Sequence, residues 1–168
     1  MNVKSVVSAA RTCVVLAAGL FLPATAAAAS PPDVKARLVA PERLAAGTKA
    51  TVKVELTFGA GWHANSHTPS EEFLVPTDVA LQATGAEVSE VRYPKDVTKR
   101  FSFSEKPLRV YDGTVAFEAD LAVPASARGK VEVRGTVSYQ ACNDTQCFAP
   151  ASLPVTATVA VAAAGGGR

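Results

Sequence analysis

The run Thr51-Val52-Lys53-Val54-Glu55-Leu56-Thr57-Phe58 alternates polar and apolar residues with period two, the pattern of a strand with one face buried and the other in water. The alternation returns in Val115 to Leu121, Val131 to Tyr139 and Val155 to Val159, and more weakly in Ala36 to Val39, Thr77 to Ala83 and Glu87 to Tyr93. Turn formers separate these runs at short intervals: Gly47, Gly59-Ala60-Gly61, Gly85, Pro94, Asp112-Gly113, Pro124 and Asn143-Asp144. No stretch carries a capped helical stripe. About seven or eight short strands with frequent turns predict an all-β chain, an immunoglobulin-like antiparallel β-sandwich.

The N-terminus breaks the pattern. Lys4 and Arg11 precede an apolar core from Cys13 to Leu22, and the small residues Ala24-Thr25-Ala26-Ala27-Ala28-Ala29 follow, as in a secretory signal peptide. A membrane anchor needs about 20 apolar residues, and Pro23 ends this stretch early. The expected organisation is a signal over 1–29 cleaved near Ala29, a sandwich domain over 30–160 and a flexible Ala/Gly tail over 161–168. No membrane insertion is expected after cleavage. About 140 residues remain, enough for a core that does not depend on disulfide staples. Losing Lys4 and Arg11 brings the 17 Lys and Arg down to the number of Asp and Glu, 15. A neutral domain has no electrostatic grip on nucleic acid or membrane.

Cys13 leaves with the signal, so the mature chain keeps two cysteines, Cys142 and Cys147, inside Tyr139-Gln140-Ala141-Cys142-Asn143-Asp144-Thr145-Gln146-Cys147-Phe148-Ala149-Pro150. In an oxidising compartment a nearby pair is joined by default. Three uses compete. As a static staple the bond does little, because closing so small a loop stabilises by only ~2 kcal/mol against nearly 5 for a loop of about 100 residues. As a redox pair it benefits from a small exposed loop, since such bridges are the reducible ones. As a metal site, with His63 and His67 as further ligands, it has loose spacing for zinc, and soft thiolates favour copper(I). His63 follows Trp62 and reads as a packing residue. Motifs for hydrolysis or phosphate binding are missing, so the expected chemistry is that of sulfur, without cofactor or metal. Tyr93 to Leu108 adds Phe101 and Phe103 to a polar, lysine-rich loop, where aromatic side chains must pack inward or cover something.

Gly61-Trp62-His63-Ala64-Asn65-Ser66, Pro69, Phe73-Leu74-Val75-Pro76-Thr77, Tyr93-Pro94, Phe101 to Gly113, Tyr139 to Cys142 and Cys147 to Pro150 together resemble the N-terminal periplasmic domain of the thiol:disulfide interchange protein DsbD. The resemblance implies an immunoglobulin-like sandwich in the periplasm. Its cysteine pair would take electrons from a thioredoxin-like domain and pass them to periplasmic disulfide isomerases and cytochrome c maturation proteins. By this likeness Cys147 forms mixed disulfides, Cys142 resolves them, and Phe101 or Phe103 caps the pair. Tyr139, Gln140, Asn143 and Asp144 would shape the site. Four residues separate the cysteines where the best-known members have five. Full-length members continue into a membrane electron carrier and a thioredoxin-like domain, so a separate membrane protein is the expected electron source, with thioredoxin-like periplasmic proteins as partners. A non-catalytic binding module with a static bridge and a copper(I)-handling protein are the alternatives.

Overall fold

A computed structural model describes residues 32–163, and the expected signal segment and the end of the expected tail lie outside them. Twelve strands follow in order: β1 Val34–Val39, β2 Arg43–Ala45, β3 Lys49–Phe58, β4 His63–Asn65, β5 Asp78–Thr84, β6 Glu87–Val88, β7 Val97–Lys99, β8 Leu108–Asp112, β9 Thr114–Ala122, β10 Gly129–Tyr139, β11 Ala141–Cys142 and β12 Ala151–Ala162. No helix among the described residues is long and apolar enough to cross a membrane. The strands form three four-stranded sheets, ordered β1-β3-β9-β6, β2-β12-β10-β5 and β11-β4-β8-β7. The all-β sandwich expected from the alternation is what forms.

The first two sheets face each other across the core. Val52, Val54, Leu56 and Phe58 of β3 point inward with Phe117, Ala119 and Leu121 of β9, and meet Val131, Val133 and Val137 of β10 with Val155 and Val159 of β12. The residues alternating with these on β3 and β10 are exposed or half-buried, so period two in the sequence becomes burial on one face. The buried Val, Leu and Phe side chains are each worth about 1.5–3 kcal/mol of transfer free energy.

The third sheet grows out of the other two at one end of the sandwich. The β3–β9 ladder closes at Thr57↔Thr114, and the same two chain segments pair again as β4–β8 from His63↔Asp112. Between these rungs residues 58–62 stand on one strand against Gly113 alone on the other. This unequal insertion acts as an extended bulge that turns the ribbon out of its sheet. Gly113, at φ 60°, makes the corner, with its carbonyl accepting the Phe58 N–H at 2.7 Å. From the opposite sheet β10 runs on through Gln140 into β11, which pairs with β4.

Several details differ from the reading of the sequence. β2 pairs with β12 in parallel, unlike the other ladders. The run Glu87 to Tyr93 is a strand only over Glu87–Val88, with a single bridge at Arg92↔Glu118. There the Ser89 hydroxyl accepts the Asp120 N–H at 2.9 Å in place of a backbone carbonyl, which interrupts the ladder. Val97–Lys99, inside the expected loop, is a strand against β8. β12 continues to Ala162, two residues into the expected tail, because Val161 pairs with both Gly129 and Leu44.

Gly135 sits where β5, β10 and β12 run side by side, and a Cβ there would lie 2.5 Å from Leu81 Cδ2 and 2.6 Å from the Ala80 carbonyl oxygen. Backbone cannot yield as a side-chain tip can. Gly135→Ala is expected to destabilise the domain by about 1–3 kcal/mol, read as a lower urea midpoint at unchanged m-value.

Candidate functional site

The cysteine turn is a short hairpin held by its backbone. Asn143 N–H donates to the Gln146 carbonyl at 2.9 Å and Phe148 N–H to the Ala141 carbonyl at 2.8 Å. Cys142 and Cys147 lie between these bonds as a directly opposed antiparallel pair, with Cα atoms 4.0 Å apart and the sulfurs joined. Asn143 organises the turn, its Oδ1 accepting from the Thr145 N–H at 3.0 Å and the Gln146 N–H at 2.9 Å, an Asx turn. Gln140 Nε2 donates to the Phe148 carbonyl at 2.9 Å and ties the far side of the hairpin. Tyr139 lies deeper, in the core, where burial raises its phenol above the usual range.

The two sulfur-bearing residues are not equivalent. Cys142 is 1% exposed and Cys147 is on the surface. Their difference follows from the third sheet: Cys142 is on β11 and pairs with His63 of β4, whereas Cys147 is on the outer arm of the hairpin. Trp62, in the inserted bend, meets Phe148 edge to face at 5.2 Å and holds that arm against the sandwich.

Side chains on the third sheet alternate between two faces. Ala141, Ala64 and Tyr111 form one row across β11, β4 and β8 and join the sandwich core. Cys142, His63 and Asp112 form the next row and face the other way. The segment after β7 roofs this outer face. Phe101, 9% exposed, stacks on the His63 ring with centroids 4.2 Å apart and packs with Leu108, Val110 and Leu74. Phe103 stacks on Phe101 at 5.3 Å and remains 42% exposed. Ser102 between them donates to the Asp144 carbonyl at 3.1 Å, joining the aromatic loop to the cysteine turn. Lys99 and Asp112 pair beside it. A cavity of about 250 Å³ lies between the bend and this roof, lined among others by Trp62, His63, Lys99, Phe101, Asp112 and Asp144.

The structure thus gathers Cys142, Cys147, Phe101, Phe103, Asn143 and Asp144 at one end of the sandwich, with Gln140 bracing the turn and Tyr139 beneath it. Sequence reading overlooked His63 as part of this site, together with Lys99 and Asp112. The Asp112-Gly113 turn signal marked the place without revealing that the corner delivers β8 beside β4. His67 is elsewhere: its ring stacks on Tyr93 at 3.5 Å, with Nδ1 3.2 Å from the Thr77 carbonyl. Among the described residues no group of three or more His, Cys, Asp and Glu is placed to hold a metal ion.

Burial, and then the Lys99 charge, lower the His63 pKa, while Asp144 and Asp112 oppose the change. The folded protein therefore binds this proton less readily than the unfolded chain. Its contribution is constant above the unfolded pKa of about 6.5 and becomes a penalty as pH falls below that value. Stability is expected to drop as pH falls below about 6.5, by at most ~1.4 kcal/mol per pH unit for this one proton, and His63→Phe should flatten that part of a denaturation-versus-pH curve. The two phenylalanines should also separate: Phe101→Ala is expected to cost about 3 kcal/mol and Phe103→Ala less than about 1 kcal/mol in urea unfolding.

Residues 35–158 match the family profile described as "Thiol:disulfide interchange protein DsbD, N-terminal". Two solved structures are similar at lower level. The N-terminal domain of DsbD from Neisseria meningitidis, in its reduced form, is 14% identical with a TM-score of 0.43, over 67% of this chain and 83% of that one. The N-terminal periplasmic domain of ScsB from Proteus mirabilis is 15% identical with a TM-score of 0.45, over 72% of this chain and 43% of that one, so this chain spans less than half of it. No curated protein sequence matches.

Proposed function

The chain belongs to the family of the N-terminal domain of the thiol:disulfide interchange protein DsbD, and on that premise we propose that it is a periplasmic thiol-disulfide carrier working through Cys142 and Cys147. The observation that carries the reading is the unequal exposure of one bonded pair: Cys147 on the surface, Cys142 buried beside it. A partner thiolate can approach only the exposed sulfur.

In the charging direction a thiolate of a thioredoxin-like donor attacks Cys147 Sγ, and the bond between the two cysteines breaks to leave a Cys142 thiolate that takes up a proton. The donor's second thiol then attacks its own sulfur in the mixed disulfide, releasing reduced Cys147 and an oxidised donor. In the delivering direction the Cys147 thiolate attacks an acceptor disulfide, and Cys142 displaces the acceptor thiolate to close the bridge. Two electrons move in each cycle, and no cofactor takes part. A separate membrane carrier would recharge the donor.

Phe101 and Phe103 divide the capping role in this proposal. Phe101 anchors the roof on His63, and the outer ring of Phe103 is the part a partner meets. Asn143 holds the turn in shape whether or not the sulfurs are bonded, since its contacts are to backbone N–H groups and the Thr145 hydroxyl.

Trapping tests the proposal. Cys142→Ser is expected to accumulate a stable mixed disulfide between Cys147 and a thioredoxin-like protein, identified by mass spectrometry, while Cys147→Ser accumulates little. A redox titration of the unaltered protein should find a potential above about −300 mV, the level below which structural disulfides lie. A bridge reducible only below that level, together with empty traps, would leave it a static staple.

A further inference from the structure

Resolution of a mixed disulfide needs Cys142 as a thiolate, yet Cys142 is 1% exposed. A thiol in apolar surroundings has a raised pKa and little access to water as a base. What stands next to it is therefore chemically decisive. Cys142 and His63 are direct partners in the β11–β4 ladder, and His63 and Asp112 are direct partners in the β4–β8 ladder. Directly opposed residues project their side chains on the same face, with Cβ atoms about 4.5–5.5 Å apart. Cysteine, histidine and aspartate thus stand in one row across three strands, on the face turned away from the core.

The surroundings suit a neutral imidazole. His63 is 4% exposed, beneath the Phe101 ring. The charged groups facing it are Lys99 from β7, Asp112 from β8 and Asp144 from the cysteine turn. Burial and Lys99 disfavour the imidazolium, and the two aspartates limit that penalty. Such a group is unprotonated near neutral pH and can still carry a proton briefly when one is delivered.

We propose that His63 is the acid–base residue of the resolving step, accepting the proton of the Cys142 thiol as Cys142 attacks. The inference rests on the exchange reading above. With the partner held as a mixed disulfide on Cys147, the Cys142 S–H proton passes to a His63 ring nitrogen. The Cys142 sulfur forms its bond to Cys147 Sγ, and the bond from Cys147 to the partner sulfur breaks. The partner leaves as a thiolate, which recovers a proton from His63 or solvent. The cysteine pair is oxidised by two electrons and the partner disulfide is reduced by the same two.

Single-turnover kinetics with the aromatic disulfide dithiobis(nitrobenzoate) test this on the reduced mature chain, without residues 1–29 and so without Cys13. Cys147 releases one coloured thiolate in a bimolecular phase, and resolution by Cys142 releases a second in a unimolecular phase. In the unaltered protein the second phase is expected to rise through an ionisation at or below the ordinary histidine value of about 6.5 and then level off. His63→Gln and His63→Phe are expected to slow that phase by roughly a hundredfold at pH 7, leave the first within about twofold, and shift the profile to a thiol ionisation at or above about 8.5. Slowing without a changed profile would mark a merely structural role and overturn the proposal, as would variants that keep the original rate and profile. The unaltered protein decides alone if neither variant folds: a second phase governed only by the thiol ionisation refutes the role of His63. Absence of any unimolecular phase would instead remove the exchange reading, and this inference with it.

Discussion

The unequal insertion between two strands that otherwise pair from end to end governs the rest of the site. Were β3 and β9 to continue straight, the chain would add only another half-buried ribbon to the sandwich. Because residues 58–62 face Gly113 alone, the ribbon turns and pairs again as β4 and β8. Its new edge receives β11 from the opposite sheet. Both sheets thus contribute to a third, and the cysteine turn stands on rigid strands rather than on a free loop. Trp62, itself part of the insertion, packs on Phe148 and links the bend to the hairpin it made room for.

One face of that third sheet is spent on the core and the other is left to be covered. Phe101 provides the cover through an aromatic stack and a small apolar cluster, and Ser102 fastens the loop to the cysteine turn by a single hydrogen bond. The contrast with the sandwich core is one of scale. Few contacts hold the roof, and segments with few buried contacts open at low free-energy cost. The capping role proposed for this loop would draw on that low cost of opening.

How far the sequence disclosed this depends on the kind of burial each strand has. β3 and β10 are buried on one face, so their alternation was plain. In β4 every residue is buried and in β7 every residue is exposed, and neither arrangement leaves a period to read. β11 is two residues long and has no pattern of its own. The cysteine pair and the aromatic loop were legible as chemistry out of place, sulfur in a small turn and phenylalanine among lysines. Which phenylalanine lies inside could not be read, since Phe101 and Phe103 are two positions apart in similar company and only the sheet beneath distinguishes them. In the sequence His63 reads as a packing residue, and it does pack, against Phe101. Its neighbour Cys142 is far away in the chain and becomes adjacent only through strand pairing.

The backbone frame of the cysteine turn has a further consequence. The bonds from Asn143 to Gln146 and from Phe148 to Ala141 do not involve sulfur. In the proposed exchange the two thiols would stay opposed across that hairpin, with Cys142 facing its target at the high effective concentration of a short, stiff tether. A mixed disulfide formed in that exchange would consequently be short-lived. The residence time of such a partner would then be set by a contact present before it arrives, and selectivity would have to be exercised on approach, before any bond has formed.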